Sequence, residues 1–189
     1  MNQAPVLAAI VLAAGAGSRF GGGKLSASFK GEPLISHTIR AALAAPVSRT
    51  IVIATTDLDI GDWDGVEVRR IATTAMSDSL RSGVSAAGDS DGAFVFLGDM
   101  PLVPHDAAAR LAEALGGNYA AMPRFEGRPG HPVLLSRIAF ADIARLEGDQ
   151  GAGALIRSRE DVAFLDWPDD TVLLDVDRAN DIKRLESRM

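Results

Sequence analysis

Between Ile10 and Lys24 the chain reads IVLAAGAGSRFGGGK, an apolar run that breaks into glycines and then presents one arginine and one lysine. The aliphatic, β-branched half suits a strand buried on both faces of a parallel sheet. Glycines at positions 15, 17, 21, 22 and 23 let the backbone come close to phosphate oxygens, and Arg19 and Lys24 supply positive charge. A strand that empties into such a loop commits the chain to an α/β architecture with an anion-binding turn at a strand's carboxyl end.

The spacing excludes two common glycine signatures. A Walker A loop needs a glycine five residues before the Gly-Lys pair, where Ser18 stands, and a Ser or Thr after the lysine, where Leu25 stands. A dinucleotide fingerprint starting at Gly15 needs a third glycine where the chain has Phe20. What remains is L-A-A-G-x-G-x-R-x-G-x-x-K, complete from Leu12 to Lys24.

At 189 residues, the length fits one well-buried domain, expected here to span residues 1–189. A formal charge of −6 argues against a nucleic-acid partner, so the basic residues act locally. The absence of cysteine excludes disulfides and thiolate metal sites and suits a reducing, cytoplasmic setting. His37, His105 and His131 show no zinc-ligand spacing, and the aspartates between Asp57 and Asp64 lack the EF-hand order. The apolar run from Ala4 to Ala16 has no basic residue before it and is too short to span a bilayer, so no membrane partner is expected.

Periodicity predicts a helix over 34–43 with Pro33 in its first turn, a buried strand over 50–55 and an acidic loop over 57–64. A helix over 77–87 follows, with Ser77 as its N-cap, and then the strand AFVFL over 93–97, which runs directly into Gly98-Asp99-Met100-Pro101. Further helices are expected over 105–115, 137–146, 152–157 and from about 178, with strands over 119–123, 132–135, 162–165 and 172–174. The polar loop FEGRPGH lies between two of these strands. The alternation points to a single three-layer α/β/α domain.

The loop from Leu12 to Lys24 resembles the signature loop of the single-domain α/β nucleotidyltransferases, and nucleotidyl transfer requires charge neutralisation on a triphosphate, a bridging metal and an aligned acceptor phosphate. The loop offers backbone N–H groups from Gly15 to Gly23 with Arg19 and Lys24 as catalytic cations, Lys24 foremost. For a magnesium ion, which takes oxygen ligands, the chosen carboxylates are Asp99 and Asp177. Asp99 ends AFVFL, and Asp177 ends LLDVD, read as the other aspartate-tipped strand. Asp175 is the rival, since strand alternation puts 175 and 177 on one side, and Asp177 has the competing reading of a helix N-cap before Arg178.

LAAGAGSRFGGGK, SLRSG at Ser79–Gly83, LGDMPLV at Leu97–Val103, GRPGHPVLLSR at Gly127–Arg137, GDQGAGALI at Gly148–Ile156 and DVD at Asp175–Asp177 fall in order. Together they resemble the molybdenum cofactor cytidylyltransferase family, related to the molybdopterin-guanine dinucleotide synthases, over nearly the whole chain. The resemblance implies a Rossmann-like, mostly parallel sheet of the nucleotidyltransferase type and magnesium-dependent transfer of CMP from CTP to molybdopterin carrying molybdenum. It places CTP over Leu12, Ala13, Ala14, Gly15 and Gly17 with the base toward Ser79, and the acceptor against Arg128 and His131. Guanylyl-transferring relatives usually carry a glycine where Ala14 stands, which favours cytosine. A molybdoenzyme or its chaperone is the implied recipient. Competing readings are cytidylyl transfer to methylerythritol phosphate, guanylyl transfer to molybdopterin, and a non-catalytic cofactor carrier, against which the intact Arg19, Lys24, Asp99 and Asp177 argue.

Overall fold

A computed structural model describes residues 4–15, 17–73 and 75–188. Its elements in chain order are β1 (Leu7–Ala13), a 3-10 turn (Lys24–Ser26), the short strands β2 (Ser28–Phe29) and β3 (Glu32–Pro33), α1 (Leu34–Leu43), β4 (Arg49–Thr55) and β5 (Val66–Ile71). The second half adds α2 (Met76–Ala87), β6 (Gly92–Leu97), α3 (Ala107–Leu115), β7 (Ala120–Phe125), β8 (Arg128–Pro129) and β9 (Val133–Ser136). It closes with α4 (Ile138–Ile143), α5 (Ala152–Ile156), β10 (Val162–Asp166), a 3-10 turn (Asp170–Leu173) and α6 (Ala179–Glu186).

The main sheet has the order β10-β7-β9-β6-β1-β4-β5, with β8 paired to β7. β1 lies parallel to both β4 and β6, while β9 runs antiparallel between β6 and β7. The two faces of β1 feed different cores: Leu7, Ala9 and Val11 pack with Phe94, Phe96 and α1, whereas Ala8 and Ile10 pack with Leu80, Val84 and Tyr119. This is the mostly parallel three-layer α/β arrangement that the strand–helix alternation implies.

The order opens a crevice at one end of the sheet. From β1 the chain moves outward to β4 and β5, then returns to place β6 on the other side of β1. The connections therefore diverge at the carboxyl ends of β1 and β6 and leave a crevice there. Gly98 lets those two ends close up: its N–H donates to the Leu12 carbonyl at 2.9 Å, and a Cβ at 98 would lie 3.1 Å from that oxygen.

Several expectations change. Val66–Ile71, read from sequence as no element, forms the edge strand β5, half exposed and laced by Arg49 and Arg69 to Glu67. Pro33 precedes α1 rather than entering its first turn. Ser77 is not an N-cap: α2 starts one residue earlier, Ala75 holds the cap position, and Ser77 is fully buried. The expected strand over 172–174 is absent, because Val172 and Val176 bury their side chains while their backbone makes single bonds rather than a ladder. The Val172 carbonyl accepts from His131 N–H at 2.9 Å, and Val176 N–H donates to the Asp99 carbonyl at 3.0 Å.

At Gly83 α2 lies so near β1 that any Cβ would collide with Cγ2 of the fully buried Ile10. Gly83→Ala is expected to destabilise the protein by about 1–3 kcal/mol through overpacking, read as a lowered urea midpoint at unchanged m.

Candidate functional site

The glycine loop leaves β1 and returns as the Lys24–Ser26 turn, entered through Gly23 at φ +62°. Gly17 is required twice over: its φ is +55°, and a Cβ would lie 3.3 Å from the Lys24 Cβ. Phe20 and Gly21 spend their N–H groups inside the loop on the Gly17 and Ser18 carbonyls. The expected run of phosphate-facing amides from Gly15 to Gly23 is thus reduced by two, and Ala16 lies outside the described residues.

Lys24 reaches across the crevice and places Nζ 2.6 Å from Asp99 Oδ2 and 4.0 Å from Asp177 Oδ1. Arg19 donates to Asp177 Oδ2 at 3.0 Å. The two pairs differ in environment. Lys24 and Asp99 side chains are 13% and 22% exposed, whereas Arg19 is 73% exposed, so water screens the outer pair far more strongly. Asp99 keeps Oδ1 buried and without a partner.

Asp177 arrives by a different route from the one expected. It follows the 3-10 turn and an irregular stretch tied to Asp99 through Val176. Nor does it cap α6: Asp181 accepts from the Asp177 and Arg178 N–H groups at 3.0 and 2.8 Å, so Asp181 does the capping and fixes the Asp177 backbone. Asp175 shares the site, and burial first, then repulsion from Asp99 and Asp177, raises its carboxyl above the ordinary range.

Three cavities meet at Gly17 and Lys24. One of about 110 Å³ is bordered by Leu12, Ala14, Gly15, Met76, Ser79, Leu97 and Asp99. One of about 190 Å³ is bordered by Ser18, Arg19 and Asp177. The third, about 350 Å³, opens toward β4 and includes Ala13, Gly23, Ser26, Thr55 and Asp57. Leu12, Ala14, Gly15, Gly17 and Ser79 therefore share one pocket, while Ala13 faces the other side of the loop. The Ser79 hydroxyl donates to the Ala75 carbonyl at 3.1 Å and keeps acceptor capacity.

The two acceptor candidates part company. Arg128 is exposed on β8 and forms no ion pair among the described residues. His131 turns inward, with Nδ1 buried and without a hydrogen-bond partner. Burial pushes its imidazole below the ordinary value, while the Val95 carbonyl and Asp99 pull the other way. Gly130 is forced by packing, since a Cβ there would strike the Val172 carbonyl.

Among the described residues, no group of three or more His, Cys, Asp or Glu side chains is set to hold a metal by itself. One or two carboxylates suit magnesium when phosphates and waters complete its shell. Asp99, with one buried unpaired oxygen, and the nearby Asp177 fit that requirement.

Sequence reasoning missed Met76, Asp181 and Thr38. The buried Thr38 hydroxyl lies 3.2 Å from the Met100 carbonyl and 3.4 Å from that of Gly98, which ties α1 to the turn carrying Asp99. A threonine on an apolar helix face gave no signal, because its partners lie 60 and 62 residues away. Thr38→Val preserves shape and removes the donor; it is expected to cost about 1 kcal/mol in urea unfolding.

The profile of the MobA-like NTP transferase domain matches residues 9–162. The purine catabolism protein PucB of Bacillus subtilis is 29% identical over 171 residues, covering 82% of this chain and 83% of its own. A probable molybdenum cofactor guanylyltransferase of Thermococcus gammatolerans is 33% identical over 162 residues, covering 80% and 81% respectively. Among solved structures, the manganese complex of Rv0371c from Mycobacterium tuberculosis superposes with a TM-score of 0.82 at 26% identity, over 97% of this chain and all of that one. No helix among the described residues is long and apolar enough to cross a membrane. The match spans strand, glycine loop, Asp99 turn and His131 loop together, and the chain belongs to the MobA-like NTP transferase domain family.

Proposed function

We propose that the protein transfers CMP from CTP to a molybdopterin-type acceptor and releases pyrophosphate. The observation that carries this reading is Lys24 at the junction of three cavities, 2.6 Å from a carboxylate at the carboxyl end of β6. The family supplies the nucleoside triphosphate, and the Thermococcus relative's name supplies the molybdenum cofactor as acceptor.

In this reading the nucleoside lies against Leu12, Ala14, Gly15, Gly17 and Ser79, with Ala13 shaping the loop from behind. The triphosphate meets Gly17, Arg19 and Lys24. An oxygen of the acceptor's phosphate monoester attacks the α-phosphorus, the bond to the β-phosphate breaks, and pyrophosphate leaves. Arg19 and Lys24 stabilise the charge that grows on the leaving group. The acceptor phosphate is already an anion near neutral pH, so no general base is required. His131 and Arg128 receive the acceptor, His131 from the inner side and Arg128 from the rim.

Asp99 and Asp177 would hold a magnesium ion, which would supply charge neutralisation for the triphosphate. The Rv0371c relative's manganese complex supports a divalent cation in a related protein. Asp177 is preferred to Asp175 as the second ligand because its carboxylate already meets Arg19 and Lys24 at the crevice. Lys24 and Arg19, paired with Asp99 and Asp177 in the free chain, would turn to the triphosphate oxygens when the nucleotide binds.

Cytosine is supported by Ala14, which is 1% exposed and puts a methyl group at the pocket where a guanylyl transferase needs room. Guanylyl transfer is the second reading, supported by the Thermococcus relative's name. A methyl group discriminates by about 1–3 kcal/mol, enough to order the two nucleotides. The product would pass to a molybdoenzyme or its chaperone in the cytoplasm.

With magnesium and molybdopterin, pyrophosphate release is expected from CTP well above GTP; equal or greater GTP turnover contradicts the cytosine assignment. Lys24→Ala is expected to lower kcat about 10²- to 10³-fold, the range for removing one positioned charge donor. Full turnover in Asp99→Ala contradicts the metal assignment.

A further inference from the structure

The segment GDQGAG has no part in the chemistry above, yet the structure brings it to the nucleotide pocket. The Gly148 carbonyl accepts from Ser77 N–H at 3.1 Å, and Arg81 Nη1 donates to the Leu146 carbonyl at 2.6 Å. The loop is therefore bonded to the first two turns of α2. Gly151 has φ −109°, a conformation open to any residue, so its backbone does not demand glycine. Space is tight instead: a Cβ at 151 would lie 3.2 Å from Met76 Cγ, so Met76 would have to give by a few tenths of an ångström.

Met76 borders the pocket formed with Leu12, Ala14 and Leu97, and it is 38% exposed. Among the described residues it is the one long unbranched apolar side chain on that lining, the other apolar ones being Leu12, Ala14, Leu25 and Leu97. A thioether on three rotatable bonds adapts to a flat ring and makes favourable sulfur–aromatic contacts. The cavity itself is about 110 Å³, so a small movement of Met76 changes its capacity substantially.

We propose that Met76 is a specificity-determining residue that covers the nucleobase, and that Gly151 sets its position by leaving the room behind it. The GDQGAG loop thereby belongs to nucleotide selection, not to the acceptor. Crowding from behind pushes Met76 into the space of the base; truncation opens that space to a purine. This inference rests on the nucleotide reading of the pocket.

Calorimetric titration of the full chain with CTP and with GTP, each with magnesium, separates the two claims. Met76→Ala removes Cγ, Sδ and Cε and is expected to shift the CTP-to-GTP affinity ratio toward GTP by at least about tenfold, the lower end of what one methylene-sized change discriminates. Gly151→Ala is expected to weaken both nucleotides, GTP more than CTP. In Met76→Ala/Gly151→Ala the loss from residue 151 disappears, because two substitutions acting through one contact are not additive. An unchanged ratio in Met76→Ala overturns the proposal, as does a Gly151→Ala defect that persists in the double variant. Wild-type protein that binds neither nucleotide overturns the underlying nucleotide reading instead.

Discussion

Lys24 and Asp99 meet at 2.6 Å although 75 residues separate them, and most of the fold serves to bring them together. Lys24 is placed by the glycine loop after β1, Asp99 by the turn after β6, and those strands are neighbours in parallel register. Gly98 brings the two strand ends into contact, Leu25 packs against that contact, and Thr38 holds the turn from below. A charge pair so sequestered is costly to expose singly, which makes the crevice a poor place for either charge without a partner. A triphosphate with its cation offers both of them new partners at once.

The C-terminal segment is the third support of this site. It crosses from β10 back over the crevice, where it bonds His131 through Val172 and Asp99 through Val176, then delivers Asp177 to Lys24 and Arg19. Asp181 locks that delivery from the start of α6. The Asp99 turn and the His131 loop are thus tied by backbone bonds rather than by one continuous ladder. An irregular segment suits this task, because consecutive residues must bond to unrelated loops.

Much of this was legible from residues alone. The bounds of α1 and β4 follow from helical periodicity and a β-branched run, and the crevice follows from a strand ending in Asp99. β5 escaped because an edge strand shows half its side chains to water, and VEVRRI has too mixed a pattern to separate it from loop. LLDVD misled because Val172, Leu174 and Val176 alternate inward as a strand's buried face would, while the backbone bonds singly to two other loops. Thr38, Asp181 and Met76 act on segments distant in the chain or through contacts no spacing encodes. His131 was legible as a residue but not in its inward orientation, which depends on Gly130 fitting against Val172.

The central claim is that the cation and the triphosphate meet at Asp99 and Lys24. A crystal of the protein with manganese and CTP, read by its anomalous difference map, tests it directly. The account predicts a manganese peak against the Asp99 carboxylate, with phosphate oxygens on Lys24 where Asp99 Oδ2 lies in the free chain. Manganese away from Asp99, or a triphosphate that leaves the Lys24–Asp99 pair intact, would contradict it.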